Sequence, residues 1–176
     1  ASPNSCGISA PATGPMAALA NLLLFGKEGY RTLLGHAVEM AEVLRELIES
    51  HPNLTVLNGE NLGPVTLFRA YPDGVDTFQV KDLERSDKGF RQQLLAYNEY
   101  NRRIFQRVHA EALAGKGVTI SLTNCYRQTE FGDPIVALKS YVLSPFADEN
   151  QMQSIVAHVV AARRQVDEGS ISQEKR

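Results

Sequence analysis

Leu54-Thr55-Val56-Leu57-Asn58-Gly59-Glu60-Asn61-Leu62-Gly63-Pro64-Val65-Thr66-Leu67-Phe68-Arg69-Ala70-Tyr71 is the stretch on which the fold turns. Leu54 to Leu57 alternates weakly between apolar and polar residues. Asn58-Gly59-Glu60-Asn61 carries the chemistry of a turn. Val65 to Tyr71 is rich in β-branched and aromatic side chains and is closed by Pro72-Asp73-Gly74, so it reads as a strand. The two runs together predict an antiparallel pair. A chain that pairs strands in this way and surrounds them with helical periodicity is an α+β protein.

The periodicity on either side is helical. Tyr30, Leu33, Leu34, Ala37, Val38, Ala41, Leu44, Leu47 and Ile48 form one apolar stripe, with Glu39, Glu42, Arg45, Glu46 and Glu49 opposite, so a helix is expected from about 27 to 50, stopped by Pro52. Before it, Pro15 starts a shorter helix through Phe25 that is apolar nearly all round, which predicts burial on most sides. Gly26 and Gly29 separate the two. Phe90, Leu94, Tyr97, Asn101, Ile104, Phe105, Val108 and Ala112 mark the buried stripe of a helix from about 88 to 114. Residues 118–123 and 135–143 read as strands with a loop at 124–134. Asp148 caps a last helix, with Gln151 as its capping-box partner. Residues 73–88 are polar and are assigned no element. The predicted organisation is an irregular lead-in at 1–14, one α+β domain at 15–166 with a small antiparallel sheet and helices packed on one face, and a disordered tail at 167–176.

Composition removes several classes of function. The chain has 176 residues, 43% hydrophobic and 22% charged, with a formal charge of −2, which suits one ordinary globular domain. A basic stripe for nucleic acid is absent from the sequence; the pairs Arg102-Arg103 and Arg163-Arg164 read as solvated helix faces. The longest apolar run, Met16 to Phe25, is far shorter than the ~20 residues that span a bilayer. Cys6 and Cys125, 119 positions apart, make neither metal spacing nor a disulfide framework, and read as reduced thiols of a cytoplasmic protein.

Catalytic patterns fail one after another. Phosphate-loop glycine patterns, H-E-x-x-H and G-x-S-x-G are all missing. His36, His109 and His158 sit beside core positions of helices and read as ordinary helix-face histidines. Asp133 reads as a turn residue and Asp148 as a cap. Lys139 stands out, because it interrupts Ile135-Val136-Ala137-Leu138 and Tyr141-Val142-Leu143. A cation there faces either solvent or a buried anion, and solvent is the default.

Several of these stretches together resemble a family. Leu24-Phe25-Gly26-Lys27-Glu28-Gly29-Tyr30-Arg31, between an apolar helix and a long amphipathic one, resembles a hinge of the group II pyridoxal-phosphate-dependent amino-acid decarboxylases, which include the glutamate and aromatic-amino-acid enzymes. Leu54 to Leu57 and Gly63 to Arg69 resemble the strand pair that follows there. Asn98 to His109 resembles the next helix, and Leu138-Lys139-Ser140-Tyr141-Val142-Leu143-Ser144-Pro145 the family's last strand. The resemblance covers about residues 14 to 166.

It implies the small C-terminal domain of a fold-type-I pyridoxal-phosphate (PLP) enzyme. The Schiff-base lysine, the ring-stacking histidine and the aspartate of that family lie in a preceding large domain, so this chain alone is expected to be inactive, and PLP to be bound mainly by that domain. Lys139 falls where the family usually has arginine, six residues before Pro145, which implies a substrate-binding role. A lysine keeps the charge and loses the bidentate fork. Ser5 and Gly7, near Cys6, are candidates for approach to the cofactor phosphate. The implied partners are the large domain, a second subunit and a small amino-acid substrate. Two alternatives stand beside this reading: another fold-type-I reaction such as a lyase or desulfurase, and a non-catalytic domain that binds a ligand or partner.

Overall fold

In a computed structural model, residues 13–174 are described. The elements run α1 (Thr13–Glu49), β1 (Leu54–Val56), β2 (Val65–Ala70), α2 (Thr77–Ser86), α3 (Arg91–Leu113), β3 (Ser121–Gln128), β4 (Pro134–Tyr141) and α4 (Glu149–Glu174), with a single 3-10 turn at 88–90 ahead of α3. The chain divides into two compact units between Gly35 and His36.

The first unit contributes the N-terminal part of α1. Gly26 breaks its helical backbone at φ 60° and ψ −170°, a conformation essentially confined to glycine, so the two helices expected from the sequence meet at this residue. The expectation of burial fails here. Met16, Leu19, Leu22, Leu23, Leu24 and Phe25 are all exposed. Apolar composition specifies that such a helix needs cover, and the described residues of this unit do not supply it.

The second unit is an antiparallel four-stranded sheet in the order β1-β2-β4-β3. Leu54 lies opposite Ala70 and Val56 opposite Phe68, and Phe68 in turn faces Leu138 on β4. Those side chains share the core face. Ala41, Leu44 and Ile48 of α1, Ile104 and Val108 of α3, and Met152, Ile155, Val159 and Ala162 of α4 pack with them. Burying each large aliphatic side chain contributes roughly 1.5–3 kcal/mol. The α+β class and the helical layer on one face follow from the stripes.

Three boundaries depart from the pattern. The polar stretch at 73–88 contains α2, because the Asp76 side chain accepts from the Phe78 and Gln79 amides and so caps it. β3 continues to Gln128 through Asn124 and Cys125, since an edge strand tolerates polar side chains. α4 runs on past 166 through residues assigned to a disordered tail. Asp167 helps hold it there: it accepts from Tyr100 at 2.8 Å and from Arg163 at 3.1 Å. At the other end of α4, Asp148 Oδ1 accepts from the Gln151 amide at 2.8 Å.

Candidate functional site

Lys139 pairs with Leu67 on β2 and with Ser121 on β3. Strand alternation turns it away from the face that carries Leu138. It is half-buried, and its Nζ lies 4.7 Å from the centre of the Tyr141 ring. It forms no ion pair with a carboxylate among the described residues. The cation therefore sits half-buried against an aromatic ring, with no buried anion beside it among the described residues. An aromatic face holds it at the sheet surface, which is a modest stabilisation of about 0.5–1 kcal/mol. The surroundings stay apolar: Tyr141, Leu143 and Phe146 are exposed nearby in sequence.

The other end of the same sheet face is closed by a buried polar network that the sequence did not announce. Arg69 and Glu84 form an ion pair at 2.8 Å with side chains 0% and 1% exposed. Tyr71 donates its hydroxyl to the second Glu84 oxygen at 3.0 Å. Arg69 also donates to Asn98 Oδ1 at 2.8 Å and to the Val136 carbonyl. Burial holds the Glu84 carboxyl above its ordinary range, against the opposing pull of Arg69 and of the Tyr71 hydrogen bond. Burial likewise pushes the Tyr71 hydroxyl upward.

Two asparagines of α3 complete the network by standing in for a strand. Beyond the Phe68–Leu138 pair, β2 and β4 have no further backbone pairing. Asn101 accepts from the Ala70 amide and donates to the Ala70 carbonyl, both at 2.9 Å. Asn98 accepts from the Val136 amide at 3.0 Å and donates to the Pro134 carbonyl at 2.8 Å. Side-chain amides thus satisfy backbone groups that would otherwise be buried without partners. Asn101 was visible as part of the helical stripe and Asn98 was not; the role of both depends on where the strands part.

An open cleft of about 700 Å³ lies beside this network, lined by Lys81, Arg85, Tyr126 and Arg127 together with Glu49, Glu60 and Glu84. Charges of both signs line it, so it is not selective for one sign of ligand.

The remaining candidates resolve as follows. Ser5 and Gly7, with Cys6, lie outside the described residues. Cys125 is an exposed free thiol. His36 Nε2 bonds the Ala147 carbonyl at 2.7 Å, His158 Nδ1 the Ser154 carbonyl at 2.8 Å, and His109 stacks on Phe105. Asp133 accepts from Arg91 at 2.8 Å, which holds its carboxyl below the ordinary range. The Arg163-Arg164 pair is not simply a solvated face. Arg163 is 4% exposed and bonds Asp73, Asp167 and the Tyr71 carbonyl, because the 72–74 turn packs against α4 at that point. Among the described residues no helix is long and apolar enough to cross a membrane, and no cluster of side chains could hold a metal ion.

The fold defined by this sheet and its helices is the α+β fold of the C-terminal domain of PLP-dependent decarboxylases. TDC from Oryza sativa, solved with PLP, is 15% identical, with a TM-score of 0.57 over 82% of this chain and 25% of that one. Catharanthus roseus tryptophan decarboxylase in complex with L-tryptophan is 15% identical at a TM-score of 0.53, over 84% of this chain and 25% of that one. The glutamate decarboxylase domain of a diaminobutyrate-pyruvate transaminase and L-2,4-diaminobutyrate decarboxylase from Vibrio parahaemolyticus is 14% identical at 0.56, with coverage of 84% and 25%. The chain thus spans about a quarter of the length of the solved structures it resembles. No family model matches the sequence, and no curated protein matches it.

Proposed function

We propose that this chain is the C-terminal part of a PLP-dependent amino-acid decarboxylase, acting with a larger PLP-binding domain that the chain does not contain. The observation that carries the reading is the likeness in fold, at a quarter of the length, to decarboxylases solved with PLP and with an amino acid. Lys139 adds to it, as a half-buried cation that has no carboxylate partner among the described residues.

The described residues do not fit PLP by themselves. Each of the described lysines is exposed or half-buried, and the cleft that includes Lys81 is open rather than enclosed. A Schiff-base lysine and a cradle for the phosphate must come from elsewhere, so the chain alone is inactive on this reading. Ser5 and Gly7 remain candidates for approach to that phosphate. The parent enzyme would be a cytoplasmic homodimer.

Within it, Lys139 binds a carboxylate of the amino-acid substrate. Tyr141 orients the ammonium, and the apolar surroundings strengthen the attraction relative to water. A hydrogen bond to a charged group contributes about 1.5–3 kcal/mol, which corresponds to roughly tenfold to a hundredfold in affinity. In the parent enzyme, Lys139→Met raises KM by that factor while Lys139→Arg largely restores it. Equal KM values for the wild type and Lys139→Met remove Lys139 from the site.

A further inference from the structure

We infer that α2 is a latched lid, which leaves the sheet and melts as one unit while the rest of the second unit stays folded, with Glu84 as the latch. The inference stands on the second unit alone and does not depend on the decarboxylase reading.

α2 has ten residues and buries two of them, Val80 and Glu84, one turn apart on one face. Phe78 is 77% exposed and Leu83 38%. Val80 packs with Tyr71 and Tyr97, and with the half-buried Val75 and Phe90, in a small cluster apart from the main core. The main core therefore keeps all of its side chains when α2 leaves. Two points of non-helical backbone bound the segment: Gly74 turns sharply at φ 82°, and Asp87 is extended at φ −97° and ψ 111°.

Beyond Val80, one side chain holds the segment down. Glu84 accepts from Arg69 at 2.8 Å and from Tyr71 at 3.0 Å, and these partners lie on β2 and directly after it. The Glu130 amide adds one backbone bond, to the Arg85 carbonyl at 3.0 Å. A buried ion pair adds little net stability, because desolvation offsets most of its attraction, and on release both charges regain water. Arg69 keeps Asn98 Oδ1 and the Val136 carbonyl as acceptors. Release of α2 therefore costs less than opening the main core. Off the sheet, ten residues are fewer than the ~12–15 that hold a helix unaided in water, so release and melting coincide. Release also removes from the cleft of about 700 Å³ the wall formed by Lys81, Asp82, Glu84 and Arg85, and lets water reach the Arg69 guanidinium.

Hydrogen exchange of the 176-residue chain in a series of low urea concentrations tests this, read by NMR at the amides of Lys81 to Glu84 in α2 and of Ile104 and Val108 in α3. In the wild type the α2 amides are protected, but at least about tenfold less than Ile104 and Val108. Their urea slope is also under about half as large, because release exposes little surface. Glu84→Ala leaves Arg69 without its carboxylate in the closed form alone. The α2 amides then lose about a hundredfold in protection, while Ile104 and Val108 stay the better protected. Asp82→Asn, at an exposed carboxylate of the same helix, changes α2 protection by less than about threefold. Exchange of α2 in step with α3, at one slope and one protection, overturns the inference. So do α2 amides without protection in the wild type, and so does α2 protection that Glu84→Ala leaves unchanged. The wild-type series alone carries the first two of these outcomes, so the test stands if Glu84→Ala fails to fold.

Discussion

Replacing Glu84 with alanine tests the reasoning about the buried network most severely. The substitution removes the only carboxylate bonded to the Arg69 guanidinium among the described residues, and the Arg69 side chain is 0% exposed. Asn98 Oδ1 and the Val136 carbonyl still accept from Arg69, but neither carries a charge. Tyr71 also loses the acceptor for its hydroxyl. Removing one partner of a buried pair costs about 3–5 kcal/mol, because a desolvated charge is left behind. For a unit of about 140 residues each kcal/mol moves Tm by about 3 °C, so Glu84→Ala lowers it by roughly 10–15 °C. Urea unfolding of wild type, the singles Arg69→Met and Glu84→Leu, and the double variant that combines them separates charge from packing. Arg69→Met with Glu84→Leu removes both charges and lies within about 2 kcal/mol of wild type, since an apolar pair of similar volume is often as stable as the ion pair. The reasoning is refuted if Glu84→Ala unfolds within about 1 kcal/mol of wild type, or if the double variant loses as much as the two singles together.

Other consequences follow from the same region and from the substrate role given to Lys139. Asn101→Ala leaves the Ala70 amide and carbonyl without their partners. It should cost about 2–4 kcal/mol and deprotect the Ala70 amide in hydrogen exchange before its neighbours. Because the folded state raises the Glu84 pKa, it binds that proton more tightly than the unfolded chain does. Glu84 therefore favours folding most below the unfolded carboxylate pKa, and that advantage is lost as pH rises through the raised folded value. A urea midpoint series from about pH 4 to pH 7 should show this slope in the wild type and lose it in Glu84→Gln. Lys139→Met should leave thermal stability within about 1 kcal/mol of wild type while it raises KM, because a half-exposed cation over one aromatic ring contributes little to folding; a large loss of Tm would assign Lys139 to the fold.

Much of the fold was legible because stripes and alternation are local. Ala37, Ala41, Leu44 and Ile48, four positions of the α1 stripe, do pack on the sheet, and Asp148 with Gln151 marks the start of α4. What could not be read depends on residues far apart in the chain. Glu84 looks like an ordinary polar residue in a polar stretch; Arg69 and Tyr71, fifteen and thirteen positions away, explain its burial. α2 has ten residues and buries just Val80 and Glu84, too little to form a stripe, although Asp76 ahead of it was an available capping signal. Met16 to Phe25 shows the opposite failure. Its composition states that the helix is covered, and a sequence does not state by what. Lys139 was singled out by the strand it interrupts, while its contact with Tyr141 follows from their sharing one face two residues apart.

The central claim is that this chain completes a PLP-dependent decarboxylase. Release of carbon dioxide from the common amino acids is the most direct test, measured with PLP for the chain alone and for the polypeptide that includes the coding sequence upstream of Ala1. The account predicts PLP-dependent release from at least one amino acid by the longer polypeptide and none by the 176-residue chain. Release by the short chain, or a longer polypeptide that binds PLP and forms product without carbon dioxide, would contradict it.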